Sequence, residues 1–381
     1  MADVELRIDY NKKVNYVLEY NRLSVCNSLE IINHSDRTLE NVQIECYGEY
    51  FKQYKSEILP VIGPGVAVRI ADFSLMPDFA KLADSTESVV TQFDIVACDN
   101  CHDSAKKDIV AENQCDITIM PYDQWLGIKV LPQTLVSYVT PNHPAITGIL
   151  QEAANIMTKE TGDAAFTAYQ TGDPKAVIAQ VDAVFRALLA KGIVYRQAPA
   201  SFEESGQRIT LPDKVLSTRL GNCIELTLLM ASVLESIGIN TMIIIIHGHA
   251  FLGVWLENTA ALTCEVDDES YIRLQCSEGI GKMIPIEATC LTTNGATLKS
   301  AIAEAMNHIH RLDAVFDLAL DVRLCRTSGI RPLPQIVGNA SEWMVQDMNT
   351  ERTTKASDVK RPLSYDLSQL NNTQQTTDKF D

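Results

Sequence analysis

The chain has 381 residues, 46% of them hydrophobic, and sets 32 Lys and Arg against 49 Asp and Glu for a formal charge of -17. That length exceeds one ordinary core and suits two domains plus a tail, and the apolar content excludes a chain disordered throughout. The acidity argues against a nucleic-acid backbone or an anionic membrane as direct partner, since both need clustered Lys and Arg; a basic or neutral protein partner fits better.

The sequence holds no run of about 18 apolar residues. Its start, Met1-Ala2-Asp3-Val4-Glu5, lacks the charged-then-apolar order of a signal peptide, so the expected location is the cytoplasm. There, the ten cysteines are expected as reduced thiols, many of them buried.

Short alternating runs over 4–9, 28–33, 41–47, 66–73, 89–97 and 115–120, broken by turn residues such as Gly63-Pro64-Gly65, predict an antiparallel β-sandwich spanning 1–130. The hairpin-like stretch from Asn33 to Ile44 resembles part of an immunoglobulin-like domain. Pro132, Pro141 and Pro144 mark 131–144 as a linker.

Helical spacing then takes over in a second domain, 145–340. Helices are expected over 145–159 and, with Asp173 as N-cap and Pro174 in the first turn, up to Ala190. A short helix follows Pro212-Asp213, and another runs from Cys223 to Ser236 with Gly238 as its stop. Apolar runs 241–246, 250–256 and 283–288 read as strands, Asp267-Asp268-Glu269 as an acidic loop, and 296–318 as an amphipathic helix. The polar remainder, 341–381, is expected to be disordered. Together these predict an α+β fold.

Cys223 opens its helix behind Asn222, a good N-cap. Only a thiolate attacks a carboxamide usefully, and unpaired N–H groups at a helix mouth favour negative charge and suit an oxyanion. His249, at the start of a strand, is the candidate base, and Glu287, on the next apolar strand, is costly there unless paired. A carboxylate behind the imidazole would hold its tautomer and stabilise its charge.

Gly221-Asn222-Cys223, His249-Ala250-Phe251 and Ile286-Glu287-Ala288-Thr289 resemble the Cys, His and Asp blocks of the transglutaminase-like (papain-like thiol) superfamily. The resemblance, over roughly 145–293, implies Cys223 as nucleophile, His249 as base and Glu287 as orienting acid. Glu stands where the superfamily usually has Asp, and Ile224-Glu225 where many members have a polar pair.

The stretch 201–216, the strand from Gly248 to Leu256 and the stretch 321–334 also resemble the front end of large bacterial superfamily-1 helicase-related proteins. There a sandwich and a transglutaminase-like domain precede helicase motifs; a defence role is conjecture from that company. No Gly-x-x-x-x-Gly-Lys-[Ser/Thr] occurs, so no ATP is expected.

Other signals weigh less. Cys98-Asp99-Asn100-Cys101-His102 fits a haem or half-zinc pattern but reads better as a turn, and His247 with His249 as a site neighbour rather than a metal pair. His308 and His310 read as surface, Gln207 as a weak oxyanion candidate, Trp255 as core, and Arg323 and Arg326 as an exposed basic turn. No metal and no cofactor is expected, since a thiol triad needs neither. The function expected is acyl transfer from protein glutamine or peptide carbonyls, with hydrolysis as outcome because water is always present. The other reading is a catalytically degenerate protein-binding or regulatory module of a helicase-related protein.

Overall fold

In the computed structural model, which describes residues 3–70, 73, 75–83, 86–101, 107–197 and 206–334, the chain is α+β: strands dominate up to residue 125, and helices with a second sheet follow. The first region runs β1 (Val4–Tyr10), β2 (Lys13–Val14), α1 (Tyr16–Tyr20), β3 (Cys26–Asn33), β4 (Leu39–Gly48), β5 (Phe51–Lys55), β6 (Leu59–Ile62), β7 (Ala67–Arg69), α2 (Phe79–Ala83), β8 (Val89–Asp99) and β9 (Asp108–Ile119). One sheet has the order β1-β3-β7; the other is β2-β9-β8-β4-β5, with β6 on β4.

Period-two alternation puts Val42, Ile44 and Cys46 of β4 inward, while Leu39 is buried ahead of the break in phase at Asn41, and β1 meets the larger sheet where Tyr10 packs edge-on against Phe93, centroids 5.2 Å apart. Strands β5 and β6 lie where the sequence shows no clear strand pattern: Phe51–Lys55 buries one residue fully, so it carries little alternation.

The proline-rich residues 131–144, expected as a linker, instead contain a 3-10 helix, Pro132–Tyr138, whose Leu135, Val136 and Tyr138 are buried. Prolines end regular structure without making a segment loose. Asn21 donates to Ser137 Oγ at 2.9 Å and accepts from the Arg331 N–H at 2.7 Å, and β10 (Gln124–Trp125) pairs with β12 (Gln207–Arg208). Met1–Ile336 accordingly forms one compact unit.

The second region contributes α3 (Pro144–Thr161), α4 (Pro174–Leu189), β11 (Val194–Tyr195), α5 (Pro212–Thr218), β13 (Leu220–Gly221) and α6 (Cys223–Ser236). Asp173 caps α4 by accepting from the Lys175 N–H at 2.9 Å, as its position before Pro174 predicts. Then come β14 (Thr241–Ile246), β15 (His249–Trp255), β16 (Glu265–Val266), α7 (Glu269–Cys276), β17 (Met283–Ile286), α8 (Leu298–Ile309), α9 (Leu312–Val315), β18 (Phe316–Asp321) and α10 (Val322–Thr327).

Strands β16-β18-β14-β15-β17 form an antiparallel sheet. Met242, Ile244, Ile246, Phe251 and Trp255 share one apolar core with Ile272 of α7 and Ala305 and Ile309 of α8, while α6 packs against β14 and β15. Covered on both faces, β14 is apolar at nearly every position.

Residues 316–321 correct the expected helix over 296–318. Leu318, Ala319 and Leu320 suit a helix by propensity, but pairing with β14 on one side and β16 on the other outweighs it. The acidic loop at Asp267-Asp268-Glu269 is the start of α7, with Asp268 accepting from the Ser270 N–H at 2.9 Å. The tail and residues 201–205 lie outside the described residues. Among the described residues, no helix is long and apolar enough to cross a membrane.

Candidate active site

Cys223 is the first residue of α6, and its helix mouth is built by a capping box. Asn222 Oδ1 accepts from the Glu225 N–H and Glu225 Oε2 from the Asn222 N–H, both at 3.0 Å. Buried Glu225 also takes Arg196 Nη2 at 2.9 Å and the Thr210 N–H at 3.0 Å through Oε1. Glu225, in the Ile-Glu pair after the cysteine, therefore fixes the first turn that carries the sulfur.

Thr227 locks helix to sheet, its hydroxyl 2.8 Å from the Cys223 carbonyl and 3.3 Å from that of Ala250. This brings Cys223 near His249, the first residue of β15, close enough for sulfur and imidazole to interact. The ring's Nε2 lies 2.7 Å from Glu287 Oε2. Glu287 directly follows β17, next to β15 in the sheet, and its other oxygen accepts from the Thr289 N–H at 2.9 Å and hydroxyl at 2.6 Å. The three residues predicted from sequence thus converge.

The electrostatics follow from that packing. Burial opposes charge on His249, but the neighbouring Cys223 and Glu287 side chains outweigh it and push the imidazole up from 6.5 to about 10. Burial likewise opposes charge on Glu287, yet His249, His308 and Thr289 hold its carboxyl far below the ordinary 4.5. At neutral pH the pair is an imidazolium facing a carboxylate.

Two further residues belong to this cluster. His308 on α8, read from sequence as surface, turns inward: Nε2 is 3.2 Å from Glu287 Oε2, and the ring stacks on Phe251 with centroids 5.5 Å apart. Its spacing from Ala301 and Ala305, on the buried face of α8, carried that signal. Tyr195 is registered beside Gly221 by the parallel pairing of β11 with β13, and its hydroxyl interacts with Cys223. Burial and the adjacent sulfur push that phenol up.

The remaining candidates lie elsewhere or are otherwise engaged. His247 is exposed on the β14–β15 turn. Gln207 sits in β12, its amide donating to the Arg208 carbonyl at 3.2 Å. Trp255 is core, donating to buried Asp321 Oδ2 at 3.0 Å. Arg326, expected on an exposed turn, is a structural clamp on Glu235 at 2.9 and 3.0 Å and on the Val139 carbonyl. Cys98 is the next-to-last residue of β8, paired with Ile109, and Cys101 follows in the turn; His102 lies outside the described residues.

A cleft of about 660 Å³ runs past Arg196 and Leu220, close in sequence to Tyr195 and Cys223, and is bordered by Arg208, Lys214, Asp213 and His143. No family model, curated protein or solved structure matches the chain.

Proposed function

We propose that the protein is a transglutaminase-like thiol enzyme that forms an acyl-thioenzyme from a protein glutamine or peptide carbonyl and hydrolyses it. What carries this reading is the joint placement of Cys223 at a capped helix mouth, next to an imidazole that Glu287 holds at 2.7 Å. Cys223 sulfur bonds to the carbonyl carbon, and the carbonyl electrons move to oxygen. His249, already protonated, passes a ring proton to the leaving amine as the C–N bond breaks. The neutral ring then takes a proton from water, whose oxygen attacks the thioester and frees the sulfur.

The Cys223 N–H is the natural donor to the oxyanion, being a first-turn group with no partner within the helix. In this reading the first region is an immunoglobulin-like binding or spacing module, and the chain is the front of a helicase-related protein acting on a protein partner. One observation favours a second reading, a silent recognition module: the Tyr195 hydroxyl lies beside Cys223.

Iodoacetamide kinetics at neutral pH separate the two. Labelling of Cys223 faster than free cysteine, and lost in His249→Ala, supports the enzyme. Labelling at the free-cysteine rate, with no release of ammonia or peptide from casein, rejects it in favour of the recognition module.

A further inference from the structure

We propose that His249 Nε2, Glu287 Oε2 and His308 Nε2 form a binding site for a zinc-class divalent ion, and that its binding silences Cys223. Each of the three residues offers a ligand atom within 4.8 Å of the others, and they come from three separate packed segments, the start of β15, the residue that follows β17 and the last turn of α8. Two imidazoles and one carboxylate are the donors of open zinc sites, with a fourth position for water; hard ions such as magnesium or calcium call for oxygen ligands instead.

The spacing is close to what an ion needs. Atoms bound tetrahedrally at about 2.0–2.1 Å from zinc sit roughly 3.3 Å apart. His308 and Glu287 already stand at 3.2 Å, whereas His249 and Glu287, at 2.7 Å, must separate by roughly 0.6 Å. Thr289 anchors Oε1 of Glu287 with two donors and so presents Oε2 to the ion, the outer-shell support that metal carboxylates use. The side chains of His249 and His308 are 23% and 19% exposed, which gives an ion a route in, while Glu287 at 3% supplies a shielded charge.

Silencing rests on the reading of Cys223 as nucleophile. An ion on His249 Nε2 takes the ring position that Glu287 Oε2 holds at 2.7 Å, so the imidazole loses the carboxylate contact on which the acyl-transfer reading relies.

The test is calorimetric titration of the full chain with zinc chloride under a phosphine reductant, in wild type, His308→Gln and Cys223→Ser. We expect His308→Gln to weaken the tightest site by at least about tenfold and Cys223→Ser to leave it unchanged within about threefold. Cobalt(II) on the same site should give d–d bands without sulfur charge transfer. In wild type, one equivalent of zinc should shift the Hε1 resonances of both His249 and His308, a readout that needs no variant to fold. Unmoved resonances, or cobalt bound through thiolate, overturn the site. Zinc should also slow Cys223 alkylation by about tenfold or more, in wild type but not in His308→Gln; equal rates with and without zinc overturn the silencing. If zinc binds as described while metal-free Cys223 reacts no faster than free cysteine, the metal site stands and the acyl-transfer reading falls.

Discussion

His308 reaches the same oxygen of Glu287, Oε2, that holds His249, at 3.2 Å against 2.7 Å. One carboxylate oxygen therefore joins α8 to the strand that carries the candidate base, while its partner oxygen is tied to Thr289. Glu287 is the hub of the cluster, and the longer arm of Glu relative to Asp lets it span both rings from the end of β17.

Glu287→Gln keeps the size of that hub and removes its charge. The His249 imidazolium, raised to about 10, loses the carboxylate that supports it, and its titration should fall by at least about one unit, which is a factor of ten in protonation. A histidine Hε1 NMR titration measures this directly. A His249 midpoint left near the wild-type value contradicts the role given to Glu287.

The same pair gives stability a defined pH window. His249 titrates higher folded than its ordinary 6.5, so its contribution is full below about 6.5 and is lost as pH rises through about 10. Glu287 titrates lower than 4.5, so its contribution holds above about 4.5 and fades as pH falls below that. The gap in urea midpoint between wild type and His249→Asn should be widest between about pH 5 and 6.5 and close toward pH 10. A gap that grows with pH reverses the sign and rules this account out.

The grouping of the three candidate residues was legible because each sits next to a strong local signal: a cap before Cys223, a turn before His249, an apolar strand before Glu287. The α+β order was legible for the same reason, with capped helices and alternating strands in sequence. What escaped depends on tertiary pairing. Phe316–Asp321 has helix-forming Leu and Ala and becomes a strand only because β14 offers a free edge. Tyr195 reaches Cys223 through a two-residue parallel pairing that leaves no periodic trace. His308 was obscured by its exposed neighbour His310, although the spacing of its buried face pointed inward.

Glu225→Ala tests whether the departure after Cys223 is structural. Removing the carboxylate strands the N–H groups of Asn222 and Thr210 and frees Arg196, at a cost of about 1–3 kcal/mol for each buried donor left without a partner. We expect a total loss near ~3 kcal/mol in urea unfolding, with slower alkylation of Cys223 as the helix mouth loosens. Unchanged stability would mean that the capping box does not hold the first turn.

Tyr195 decides how ready the site is. Its hydroxyl lies beside Cys223, whose N–H an oxyanion needs, so substrate must displace it. That displacement breaks about one net hydrogen bond, worth roughly 1 kcal/mol or about fivefold in rate. Tyr195→Ala removes both the bond and the ring, and should raise the alkylation rate of Cys223 by about that factor. Tyr195→Phe keeps the ring, which separates steric cover from hydrogen bonding. If both variants react at the wild-type rate, the phenol does not guard the sulfur; if both react more slowly, the hydroxyl supports the thiolate instead of restraining it.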